Sequence, residues 1–173
     1  MSNTQPIMLE RQKLTDLLED NIKGHVITPP ARQLFFEAHA VAGGRYEHPA
    51  FRSIHIIATE ARSSSSATIT FLRRVLGLQM TAAKVDEYMR SIKPMPDDSI
   101  VEALENAKAI TKDQQLMRVS TSLPSITGAH LFTGALQTKD PLIVGIFELY
   151  GYGIDTVLEV MQDSLFKPLP VRH

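Results

Sequence analysis

The sequence predicts an all-α protein. Strand-like alternation is hard to find along the chain, whereas apolar residues recur readily at three- and four-residue spacing. Aromatic residues make up only 6% of the 173 positions and tryptophan is absent, while Ala, Leu, Ile and Met are plentiful. Gly, Pro and Ser clusters punctuate the chain at intervals that suit short helices. No β-sheet is expected.

The first expected helix spans about Met8–Ile22, with Leu14, Leu18 and Ile22 on one face and Gly24 as its stop. Thr28-Pro29-Pro30 then reads as an N-cap with prolines in the first turn, where a missing N–H costs little. Leu34, Phe35, Ala38 and Ala42 make the stripe of this second helix, and Gly43-Gly44 is expected to end it. Ser53 reads as the cap of Ile54–Ala61. The Ser63–Ser66 run caps Ala67–Leu76, which stops at Gly77. Thr81 caps a fifth helix with Val85, Tyr88, Met89 and Ile92 inward, closed by Pro94 and Pro96.

The second half has the same rhythm. Asp97, Asp98 and Ser99 open a helix through Ile110, with acid where the helix dipole favours it. Gln114–Pro124 reads as a polar connector. Ser125 or Thr127 caps a helix holding His130, Leu131 and Leu136; Asp140-Pro141 starts Leu142–Tyr150. Gly151-Tyr152-Gly153 turns the chain into Thr156–Leu165, and Pro168 and Pro170 mark a loose tail. Nine helical segments result, the last eight forming two sets of four.

That rhythm is an internal repeat. His55 and His130 stand at matching places in the two halves, and the glycines downstream keep step: the interval from His55 to Gly77 exceeds that from His130 to Gly151 by a single position. Upstream, the interval from Pro96 to His130 is longer than that from Thr28 to His55. The second unit therefore carries an insertion of about seven residues, placed in the Gln114–Pro124 connector. The units run over 28–93 and 94–165, after an extension at 1–27 and before a tail at 166–173.

Thr28-Pro29-Pro30-Ala31-Arg32, His55-Ile56-Ile57 and Leu76-Gly77-Leu78 in the first unit, with Asp98, His130-Leu131-Phe132 and Tyr150-Gly151-Tyr152 in the second, resemble the double Clp repeat at the N-terminus of Clp/Hsp100 unfoldases. The resemblance covers about residues 27–165 and implies two tandem four-helix repeats with pseudo-twofold symmetry. It further implies a non-catalytic module that docks substrates or adaptor proteins for a Clp-type ATP-dependent unfoldase–protease, or that modulates the machine. The family's glutamate before each histidine is Ile54 and Ala129 here. In some members that carboxylate holds the guanidinium of phosphoarginine, which neither residue can do. The resemblance therefore implies partner contacts at Thr28, Arg32, Ile54, Ala129 and Met95, and structural roles for His55, Gly77, His130 and Gly151.

Charge and motif content narrow the alternatives. Residues 28–93 hold nine basic and five acidic residues, a balance of +4; residues 94–173 hold six and ten, a balance of −4. Arg73 and Arg74 belong to the positive half, which would steer an acidic partner while the negative half steers a basic one. A formal net charge of −1 argues against a nucleic-acid-binding protein. No apolar run approaches the ~20 residues of a membrane span, and Met1 begins a polar stretch unlike a signal peptide, so a cytoplasmic protein is expected. The Pro168–His173 tail lacks a linker-like run, which favours a stand-alone protein over one domain of a large ATPase.

The absence of cysteine excludes thiolate nucleophiles and Cys-ligated metals. His39, His48 and His55 are spaced by nine and seven, which does not stack the three on one helix face, and no His-x-x-x-His occurs, so no metal is expected. There is no Gly-x-x-x-x-Gly-Lys-Ser/Thr loop and no Gly-x-Ser-x-Gly elbow. Gly151-x-Gly153-x-x-Thr156 lacks the third glycine of a dinucleotide fingerprint and follows a helix. Neither cofactor nor catalysis is expected; the competing class is an unrelated small helical enzyme or regulator.

Overall fold

In the computed structural model, which describes residues 11–63, 65–93, 99–118 and 123–166, the chain is mostly helical. The order is α1 (Arg11–Asn21), β1 (Val26–Ile27), α2 (Pro29–Ala40), α3 (Ser53–Arg62), α4 (Ala67–Leu76) and α5 (Ala82–Ser91), then α6 (Ile100–Arg118), β2 (Ser125–Ile126), α7 (Gly128–Gln137), α8 (Pro141–Leu149) and α9 (Ile154–Phe166). Pro94–Asp98, and with them Met95, lie outside the described residues, as do residues 1–10 and the tail.

Side-chain caps fix most of the starts. Thr28, Ser66, Thr81, Thr127 and Asp140 each accept a backbone N–H of the first turn through a side-chain oxygen. Gly77 ends α4 at φ 70° and Gly151 follows α8 at φ 84°, the left-handed conformation that a glycine adopts without strain.

α3 and α7 form the centre. Every residue from Ser53 to Thr59 is buried, as is every residue from His130 to Leu136. A helix apolar all round has to be surrounded on all sides. α3 packs on α2, α5 and α8; α7 packs on α6, α9 and α4; and α3 touches α7 directly. α7 lies unusually close to α6, because a Cβ at Gly134 would stand 2.5 Å from the Ala103 carbonyl oxygen. Phe35, Phe132 and Phe147 are fully enclosed, each burial contributing roughly 2–3 kcal/mol. α8 and α9 are apolar and bury Ile143, Ile146, Phe147 and Val157 here, meeting at a 94° bend; among the described residues no single helix is long and apolar enough to cross a membrane. α1 lays Leu14 and Leu18 into the same core and touches α6.

Several expectations are corrected. Gly43-Gly44 does not stop α2; the chain continues as a π-helical turn over Val41–Arg45, which delivers Arg45 and Tyr46 to α5. Ser53 is the first residue of α3, and the cap is Arg52. Tyr88 and Ile92 are half-buried rather than enclosed. α6 runs on to Arg118, so part of the expected connector is helix. A small parallel ladder is present, pairing Val26 with Ser125 and Ile27 with Ile126. Its cause is local: an N-cap residue needs extended backbone, and the two extended approaches to Thr28 and Thr127 lie side by side. The Val26 and Thr28 N–H groups donate to the Pro124 and Ile126 carbonyls at 2.9 and 3.0 Å.

Candidate functional site

The ladder sets the N-terminus of α2 beside that of α7. Between them and the start of α4 opens a cleft of about 460 Å³, walled by Gln33 and Leu34 of α2, Glu60 of α3, Thr68 of α4, and Gly128 and Ala129 of α7. A second hollow of about 480 Å³, reaching Arg45 and Arg62, shares Glu37, Thr59 and Ser63 with it. The two make one groove along α2 and α3.

The groove carries unbalanced acid. Burial pushes the Glu60 carboxyl up from its ordinary value; the Ser66 hydroxyl donating to it opposes that shift and the Glu37 charge adds to it. Arg45 and Arg62, at the far end, are engaged elsewhere: both meet the carboxylate of Asp86, at 2.6 and 3.0 Å. The Tyr46 hydroxyl donates to the same carboxylate at 2.5 Å. The Arg45 hydrogen bond, with help from Tyr46 and Arg62, holds Asp86 down at about 2 despite burial.

The expected site residues separate. Ala129 lines the groove as a half-buried wall, whereas Thr28 caps α2 and stands outside the lining. Arg32 is turned away onto α1, pairing with Glu19 at 2.6 Å and lying over the Phe36 ring. Arg73 and Arg74 are exposed on the last turn of α4, outside the groove lining. Ile54 is corrected from a contact residue to a core residue, with no exposed surface. It is the second residue of a helix buried on every side.

The histidines are joined by a relay that spacing alone did not reveal. The Arg52 N–H donates to His55 Nδ1 at 2.9 Å, leaving its proton on Nε2. Nε2 faces His48 Nδ1 at 2.9 Å, and His48 Nε2 faces the Met89 carbonyl of α5 at 3.1 Å. The hydrogen-bond pattern thus assigns both rings as neutral Nε2–H tautomers. Burial, reinforced by His48, holds His55 down to about 3, and burial also lowers His48. In α7 the Thr127 N–H donates to His130 Nδ1 at 2.9 Å. His130 Nε2 donates to Gln114 Oε1 at 2.5 Å, and Gln114 Nε2 donates to the Leu165 carbonyl of α9 at 2.5 Å. Each histidine therefore accepts the N–H of its helix's capping residue and reaches, through one bridging side chain, a backbone carbonyl of the last helix in its half. The bridges, His48 and Gln114, were the residues that sequence reasoning left out. Gln114 sits in the stretch taken for a connector.

A buried ion pair ties the halves together. The Arg52 guanidinium donates to Asp140 Oδ2 through Nε and a terminal nitrogen, at 3.0 and 2.6 Å, while Asp140 Oδ1 caps α8. Ser53 bonds both Ser99 and Thr138 across the same seam. Among the described residues no group of three or more His, Asp or Glu side chains is placed to hold a metal ion.

No family model, curated protein or solved structure matches the chain.

Proposed function

We propose that the chain is a non-catalytic protein-binding module similar to the N-terminal domain of Clp/Hsp100 unfoldases, built as two tandem four-helix repeats, α2–α5 and α6–α9. The observation that carries this reading is the duplicated relay: Arg52–His55–His48–Met89 in one half and Thr127–His130–Gln114–Leu165 in the other. The packing partners exchange in the same sense. α3 has α2, α5, α8 and α6 where α7 has α6, α9, α4 and α2, while the packing of α3 on α4 has no equally extensive α7–α8 counterpart. Among the described residues the β1–β2 ladder has no counterpart under that exchange, and α1 is an addition to it.

The groove along α2 and α3 is the docking site, and it takes a polypeptide segment bearing basic side chains against Glu37 and Glu60. The two family positions offer phosphoarginine no carboxylate: Ala129 brings none to the wall, and Ile54 faces the core. The partners are Clp-type unfoldase or protease components, adaptors or unfolded substrates.

Fluorescence anisotropy of the labelled chain titrated with unfolded casein and with a purified Clp-type unfoldase tests this. Saturable binding to at least one is expected, weakened ~5-fold or more by Glu37→Lys, which reverses an exposed charge in the groove. Phosphoarginine titrated by calorimetry should give no binding heat. Absence of binding to both proteins, or turnover of ATP or peptide by the purified chain, overturns the reading.

A further inference from the structure

The groove's acid faces a set of unused donors. Ala67 and Thr68 open α4, Gly128 and Ala129 open α7, and all four line the cleft. The Ser66 and Thr127 hydroxyls cap the N–H groups one place further on, at Ile69 and His130. The N–H groups of the four opening residues have no partner among the described residues. α2 begins with Pro29 and Pro30 and adds no donor there. No lysine or arginine lines the cleft among the described residues, so only these N–H groups and neutral side chains can receive an anion.

Thr68 points to a ligand independently. It is 8% exposed and lines the cleft, yet its hydroxyl has no hydrogen-bond partner among the described residues. Thr70, by contrast, turns its hydroxyl back to the Ser66 carbonyl. A polar group so enclosed and unpaired calls for a partner, and the cleft is where one can stand.

Donors and acid are set apart along α2. A Cβ at Gly128 would lie 3.9 Å from Leu34 Cδ2, so α7 starts at the level of Leu34. Glu37 is one turn further on, about 5 Å of helix rise, where the second hollow begins. An anion alone is opposed by Glu37 and Glu60, and a cation alone by two helix N-termini. The ligand that fits carries both signs, spaced along the groove.

On the reading that this groove docks polypeptide, we infer that it captures the C-terminus of a chain ending in lysine or arginine. The terminal carboxylate accepts from the N–H groups that open α4 and α7 and from the Thr68 hydroxyl. The basic side chain lies against Glu37, and the preceding residues leave through the second hollow. Burial moves Glu60 toward its neutral form, which eases the approach of the carboxylate. Small zwitterions fit less well. Phosphoarginine bonds its phosphate to the guanidinium itself, so the two charges span no helical turn. Free lysine brings an α-ammonium against the same N–H groups, where a peptide has an uncharged amide.

Fluorescence anisotropy with short N-terminally labelled peptides tests this, using Ala-Lys ends as free acid and as amide, and an Ala-Ala free acid. The Ala-Lys acid is expected to bind saturably. Amidation should weaken it ~10-fold or more, and the Ala-Ala end ~5-fold or more. Gly128→Pro deletes one donor at a position that suits proline, after a Thr127 already extended at ψ 173°. Gly128→Pro and Thr68→Val should each shrink the acid-to-amide ratio ~3-fold or more, a change that partial unfolding does not mimic. Glu37→Lys should abolish the preference for lysine over alanine. Equal binding of acid and amide overturns the inference and leaves the docking reading standing. A ratio that neither variant moves, or free lysine that competes as well as the peptide, overturns it equally. If no peptide binds while unfolded casein or the unfoldase does, the inference alone falls; if none binds, both fall.

Discussion

His55 and His130 occupy the third position of their helices, one in each half of the chain, and accept the N–H of the capping residue on Nδ1 at the same 2.9 Å. A ring that accepts on Nδ1 must carry its proton on Nε2, so the cap fixes the tautomer and the tautomer fixes what the far side can bond. In both halves it finds an acceptor that in turn bonds the final helix. One side chain thus links a helix start to a helix two elements away.

Replacing either ring should cost stability in proportion to its enclosure. His55 is fully enclosed, so His55→Ala removes two hydrogen bonds and leaves a void, for an expected loss of about 2–4 kcal/mol. His130→Ala forfeits chiefly a cap and one bridge, about 1–2 kcal/mol. Urea unfolding followed by circular dichroism separates the two. Equal losses under about 0.5 kcal/mol, the range of a surface substitution, would show that the relay is incidental.

The same ring makes stability depend on pH. His55 is held at about 3 in the folded chain against about 6.5 unfolded, so the unfolded chain binds the extra proton between those values. Its contribution is complete above pH 6.5 and declines as pH falls toward 3, by up to about 1.4 kcal/mol per pH unit. His48 acts in the same direction. Asp86, held at about 2, adds its loss lower down, below the ordinary carboxylate value. Glu60, raised by burial, runs the other way, its penalty easing as it protonates. The unfolding midpoint should fall from about pH 7 to about pH 4.5, and His55→Gln should flatten that limb. A midpoint constant over this range would refute it.

Helix starts were legible because caps are local chemistry: Thr28, Ser66, Thr81, Thr127 and Asp140 all cap as their side chains predict. What local pattern could not supply was anything made by distant partners. Arg52 has no capping side-chain chemistry in sequence; its guanidinium pairs with Asp140, far along the chain. His48 and His55 looked unrelated at a spacing of seven, until the π-helical turn and the loop after it folded one ring onto the other. Gln114 is one polar residue among several in a stretch read as connector, and only α7 and α9 give it a role. The groove was half foreseen. Ala129 reaches it by the ladder and Thr28 does not line it, while Ile54 points inward because α3 is buried all round.

Glycine positions should respond in opposite ways to a methyl group. At Gly134 the added Cβ meets backbone atoms of Ala103 and Ala107 at 2.5 and 2.9 Å, and a helix backbone cannot retreat cheaply. Gly134→Ala is expected to destabilise by about 2–3 kcal/mol as α7 is forced off α6. At Gly77 the added Cβ meets nothing within 4 Å, and only the left-handed φ of 70° resists it, for about 1 kcal/mol. A denaturant series on both variants should rank them in that order. The reverse ranking would mean that α6 and α7 are not in such close contact.

The Arg52–Asp140 pair should behave as a coupled unit. Both side chains are nearly sealed, at 8% and 1% exposed, so either left alone is a buried charge without its counterpart. Arg52→Met strands the carboxylate with the Ser99 hydroxyl and the Leu142 N–H; Asp140→Ser keeps an acceptor for the α8 cap but strands the guanidinium. Each single change should cost about 3–5 kcal/mol. The double variant removes both charges together, so its loss should fall short of the summed singles by at least about 1 kcal/mol. Because one partner starts α3 and the other starts α8, hydrogen exchange should show both helices loosening in either single variant. Strict additivity within ~0.5 kcal/mol would mean that the charges do not depend on one another, and that the seam is held by Ser53, Ser99, Thr138 and apolar packing instead.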